Sequence, residues 1–84
     1  MSTISDTLFA ELISGWIFRH RLVDKLGIQT GISAALKNAA KVASPPCIVE
    51  RRHKGQHLKV QYHLRTVRAG ELGGQLLEVE GERD

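Results

Sequence analysis

The chain has 84 residues, 42% apolar and 25% charged, with a formal net charge of +3; that length allows one domain, and the composition is that of an ordinary globular chain rather than a disordered one. One cysteine, Cys47, excludes an internal disulfide framework and fits a reduced setting. No apolar run approaches the roughly 18 residues of a membrane span, and Met1 to Asp6 lacks the basic start and apolar stretch of a signal peptide, so a cytoplasmic protein without a membrane partner is expected.

Residues 5–18 predict an amphipathic helix. Leu8, Phe9, Leu12, Ile13, Trp16 and Ile17 form one stripe at the 3.6-residue period. Ser5 is a good N-cap and Asp6 suits the positive end of the helix dipole. Trp16, on the stripe, reads as a core anchor. Residues 20–26 predict a second helix with Leu22, Val23 and Leu26 inward, ended by Gly27 in a left-handed cap. Residues 30–42 predict a third, capped by Thr30, with Ile32, Ala35, Leu36 and Ala39 on its buried side. Ala43-Ser44-Pro45-Pro46 stops it.

From Cys47 the period changes from 3.6 to 2. Cys47 to His53 is β-prone, and Leu58, Val60, Tyr62 and Leu64 alternate with Lys59, Gln61, His63 and Arg65. The link Lys54-Gly55-Gln56-His57 joins them into a hairpin over 47–65. Residues 66–84 are acidic and punctuated by glycine. They are expected to be a tail that is mobile or docks on a partner, the domain proper spanning 1–65.

Charge is unevenly spread. Residues 19–68 carry +9, residues 1–18 carry −2, and residues 69–84 carry −4. A +9 segment of this size creates a field that favours a polyanion.

Helix, helix, glycine turn, helix and basic hairpin follow in order. Arg21-Leu-Val-Asp-Lys-Leu-Gly27, then Ile28-Gln-Thr-Gly-Ile-Ser-Ala-Ala-Leu-Lys37, resembles the helix, Leu-Gly, turn and recognition-helix signature of the winged helix-turn-helix family. Ile48-Val-Glu-Arg-Arg52, a glycine turn and Leu58 to Leu64 look like its wing. The resemblance covers roughly residues 8–65. It implies an α+β fold of three helices followed by a two-stranded β-hairpin wing. It also implies a small sequence-specific transcriptional regulator of phage or plasmid type, a homodimer that puts helix 30–42 in the major groove of double-stranded DNA.

The residue types suit that use. Gly31 and Ala34 permit close approach, and Gln29, Thr30 and Ser33 offer hydrogen bonds to bases or phosphates. Lys37, Asn38 and Lys41 continue the face, with Asn38 suited to an adenine. Arg51, Arg52, Lys54 and Lys59 on the wing are expected to meet phosphates or the minor groove, and Arg19 and Arg21 at the start of the second helix are expected to contact the DNA backbone.

Two other readings stay open: a binder of double-stranded RNA or of the ribosome, and a protein-interaction module whose charge meets an acidic partner. Four histidines and Cys47 lack zinc-motif spacing, so no metal is expected. No phosphate-binding glycine motif or paired-carboxylate site is present in the sequence, and neither an enzyme nor a cofactor is expected.

Overall fold

The computed structural model describes residues 4–81. Among them are three helices, α1 (Asp6–Ser14), α2 (Arg19–Leu26) and α3 (Ile32–Val42). Four strands, β1 (Ile17–Phe18), β2 (Cys47–Lys54), β3 (Lys59–Thr66) and β4 (Leu76–Glu78), form one mixed sheet in the order β1-β3-β2-β4. The α+β class is as expected. The arrangement of three helices followed by a two-stranded hairpin is not: one strand precedes α2, another follows the hairpin, and both join the same sheet.

The long first helix expected over 5–18 stops at Ser14. Ser5 caps α1 as expected, its Oγ accepting from the Leu8 amide at 3.2 Å. At the other end Gly15 is fully extended, and Ile17 and Phe18 pair antiparallel with Tyr62 and Gln61 of β3. The apolar stripe runs on across this change because both elements lie against β3. β-branched and aromatic residues suit the strand. Trp16 consequently leaves the expected core position. It is half-buried, with the Arg52 guanidinium 4.1 Å from its ring centre and the His63 ring 5.1 Å away.

Gly27 closes α2 at φ +69, the left-handed cap expected of it. The third helix begins at Ile32, not Thr30, and its N-cap is Gly31. Leu12, Leu22, Leu36 and Leu64 are fully buried, and with Leu8, Ile32, Ala39, Ala40, Val49 and Tyr62 they form one core between the helices and one face of the sheet. Each fully buried leucine contributes on the order of 2–3 kcal/mol by removal from water.

The hairpin register is regular, from Cys47 opposite Thr66 to Lys54 opposite Lys59. Leu58, expected to open the second strand, instead sits in the turn at φ +49, and its amide donates to the Gly55 carbonyl at 3.1 Å. β2 would present a row of backbone groups on its outer edge. The acidic segment covers part of it: Gly74 donates to Cys47 O, Val49 to Gln75 O and Val79 to Arg51 O, at 2.8–2.9 Å. Residues 76–78 thereby run parallel to Val49–Arg51 as β4.

Candidate nucleic-acid interface

Helix α3 packs Ile32, Leu36, Ala39 and Ala40 against the core, which leaves Ala34, Lys37, Asn38 and Lys41 exposed. These four fall at i, i+3, i+4 and i+7, one stripe on the outer side of the helix. No acidic residue lies within α3. Gln29 and Thr30 are exposed in the turn ahead of it. That turn is tied down by Arg19, whose Nη2 donates to the Gln29 carbonyl at 2.6 Å. Arg19 thus shapes the approach to α3. Arg21 is exposed but lines a groove with Ala10, Glu11, Trp16 and Phe18, beside α1 and β1.

Ser33, expected at the exposed start of the helix, turns inward. Its hydroxyl meets that of Tyr62 at 2.9 Å, and the residue is half-buried. Ser33 flanks Ile32 on the helix, so a small rotation of the face places it over the sheet.

Strand alternation divides the two arginines expected on the wing. Arg51 lies opposite Tyr62, on the sheet face that carries the core, and Arg52 lies on the other face. Arg51 is half-buried and pairs with Glu78 of β4. The Glu78 carboxylate first, and then the Tyr62 hydroxyl, hold the Arg51 guanidinium above its ordinary pKa. Arg52 donates from Nε to Gln61 Oε1 at 2.9 Å while lying over Trp16. Lys54 and Lys59 flank the hairpin turn, where they line a small hollow of about 210 Å³ with Phe18, Gln56 and His57. The structure therefore gathers Lys37, Asn38 and Lys41 on one helix face and Lys54 and Lys59 at the hairpin tip. Arg21 and Arg52 lie on other surfaces.

On the sheet face opposite the core an ion network links β2, β3 and the segment after β3, and reaches the end of α1. Arg65 forms a two-pronged pair with Glu71, both contacts at 2.7 Å, and Glu71 also accepts the Arg68 amide at 2.7 Å. Arg65 Nε donates to Glu50 at 2.9 Å. His63 places Nδ1 3.1 Å from Glu50 and Nε2 3.1 Å from the Ile13 carbonyl. Both ring nitrogens face acceptors, so only a doubly protonated ring donates to both. Burial opposes the charge on Glu50, but hydrogen bonds from His63 and Arg65 outweigh it and lower its pKa. The fork from Arg65, with the Arg68 amide, holds Glu71 at about 2.

The sequence places Glu71 and Glu78 in an acidic segment without assigning either a partner, because nothing local marks which cation a carboxylate meets across the fold. Cys47 is a free, buried thiol whose pKa is raised by burial. Among the described residues no group of three His, Cys, Asp or Glu side chains is placed to hold a metal ion, and no helix is long and apolar enough to cross a membrane. Compared with known proteins, the chain matches no family model, no curated protein and no solved structure.

Proposed function

We propose that this chain binds double-stranded DNA, setting the exposed stripe of α3 in the major groove and the hairpin tip on the flanking backbone. The observation that carries the reading is the stripe itself. Ala34 permits close approach, Lys37 and Lys41 supply charge, and Asn38 supplies a paired donor and acceptor, all on a helix anchored by the fully buried Leu36. Lys54 and Lys59 add cations at the tip. Gln29 and Thr30, fixed by Arg19, contact the backbone at the groove edge. In this reading the protein is a transcriptional regulator of the cytoplasm, works as a homodimer on paired half-sites, and performs no chemical step.

The test is a titration of the protein with duplex DNA and with duplex RNA between about 50 and 200 mM salt. DNA binding whose logarithm falls steeply with the logarithm of salt supports the reading. A preference for the RNA duplex replaces it with the RNA-binding alternative, and binding to neither leaves a protein-interaction module.

A further inference from the structure

We propose that Arg51 is a phosphate-binding site which the free chain keeps filled with its own Glu78 carboxylate. The proposal rests on the DNA reading above and names the contact the duplex backbone has to win. Arg51 sits on the helix side of the sheet, opposite Tyr62, whose hydroxyl meets Ser33 in the first turn of α3. Along β2 it stands three residues before Lys54 at the hairpin tip, and through Tyr62 it adjoins the first turn of α3; in the proposal a duplex resting on α3 and the tip brings a phosphate to it. The group it holds is already an oxyanion. A guanidinium that pairs with a carboxylate offers the same donors, at the same spacing, to a phosphodiester.

The occupant is held loosely. β4 has three residues, and its ladder with β2 covers Val49–Arg51, flanked by the backbone bonds of Gly74 to Cys47 and of Val79 to Arg51. Leu76 packs against the core, whereas Leu77 and Glu78 are exposed. The two acid–arginine pairs of this segment differ in the same sense. Side chains in the Arg65–Glu71 pair are 14% and 21% exposed, and those in the Arg51–Glu78 pair are 32% and 51% exposed. Glu71 therefore anchors the start of the segment, and the Glu78 side chain, the more exposed of the two carboxylates, is the one that gives way. Between them Gly73 and Gly74 pass tightly beneath Pro46 and against α3 at Lys37 and Lys41. Past Glu78 the chain continues along β2 to His53, so Glu80 borders the hairpin as well. In the docked state this acidic edge repels a phosphate, and in the released state Arg51 is open to one.

The experiment compares wild type, Glu78→Gln and Asp6→Asn, binding a 20-base-pair duplex from about 50 to 200 mM NaCl. Asp6→Asn removes the same charge at the start of α1, outside the interface. Glu78→Gln is expected to bind about 3–10-fold tighter at the lowest salt, with a salt slope steeper by about 0.9 as one more phosphate is engaged. Asp6→Asn should leave the slope unchanged. Glu78→Thr, a better strand former, gives the same gain and guards against a folding defect in the amide variant. If wild type binds and both Glu78 variants keep its affinity and slope, the Arg51 site is overturned and the DNA reading stands. If neither wild type nor the Glu78 variants bind at about 50 mM salt, both fall.

Discussion

The hydroxyls of Ser33 and Tyr62 meet at 2.9 Å, which joins the first turn of α3 to the middle of β3. Gly31, the N-cap, has no side chain with which to satisfy the helix start. The Ser33–Tyr62 contact is a side-chain hydrogen bond that, beside the buried Ile32, fixes this end of α3 to the sheet, and through Tyr62 it reaches Arg51.

Removing either hydroxyl should therefore cost stability. Ser33→Ala and Tyr62→Phe are each expected to lose about 0.5–1.5 kcal/mol, the usual net worth of such a bond. Because both changes break one contact, the double variant should lose clearly less than the sum. Urea denaturation of the four proteins measures this; additive losses would mean that the two hydroxyls act separately.

Lys37 and Lys41 lie one turn apart on the exposed stripe. If each meets one phosphate, Lys37→Ala and Lys41→Ala should each weaken duplex binding across all sequences and flatten the salt slope by about 1. Asn38→Ala should instead blur discrimination between base pairs, at a cost of about 1–3 kcal/mol for the preferred sequence. Binding of mutated and random duplexes separates the two outcomes, and a lysine variant with an unchanged slope removes that residue from the interface.

The Arg65–Glu71 pair predicts an acid limb in the stability curve. Glu71 is held at about 2, below its ordinary 4.5, chiefly by Arg65, and Glu50 is lowered as well. A carboxyl with a depressed folded-state pKa binds more protons when unfolded. Its contribution is present above the ordinary value and lost as pH falls through the folded one. The melting temperature should hold steady down to about pH 5 and decline between about 4.5 and 2. Glu71→Gln should melt below wild type at neutral pH and converge with it towards pH 2. A gap that stays constant through that window would show that the pair is not its source.

Features set by neighbours in the chain were legible in advance. Ser5 capping α1, Gly27 ending α2, the buried side of α3 and the alternation of β3 all follow from spacing over a few residues. What escaped depends on partners far along the chain. Ile17 and Phe18 continue a helical stripe by spacing, and only β3, more than 40 residues on, makes them a strand. Leu76–Glu78 reads as part of an acidic tail until the outer edge of β2 is there to receive it. The residues of the proposed interface divide in the same way. Lys37, Asn38 and Lys41 face outward because a helix of this pattern must place them there. Arg51 and Arg52 look equivalent in sequence, yet strand alternation sends one towards Tyr62 and Glu78 and the other over Trp16. Ser33 did carry a signal, since it adjoins Ile32 and precedes Leu36 by three residues, at the border of the buried side.

Gly74 tests whether the segment leading to β4 is held by shape as well as by charge. Its φ is +85, and a Cβ there would stand 2.8 Å from the Lys41 Cβ and 3.2 Å from the Lys37 carbonyl oxygen. The backbone of α3 cannot yield without disturbing Leu36 and Ala40 behind it. Gly74→Ala is therefore expected to destabilise the fold by more than about 1 kcal/mol, and to speed hydrogen exchange at the Val49 and Val79 amides, which bond across the β2–β4 edge. Gly15→Ala is the matched control. Gly15 is extended at φ −177 with open space around it, so the same added methyl should change stability by less than about 0.5 kcal/mol. Equal stabilities for the two alanine variants would mean that the chain at residue 74 does not lie against α3, and the docking of β4 would lose its steric basis.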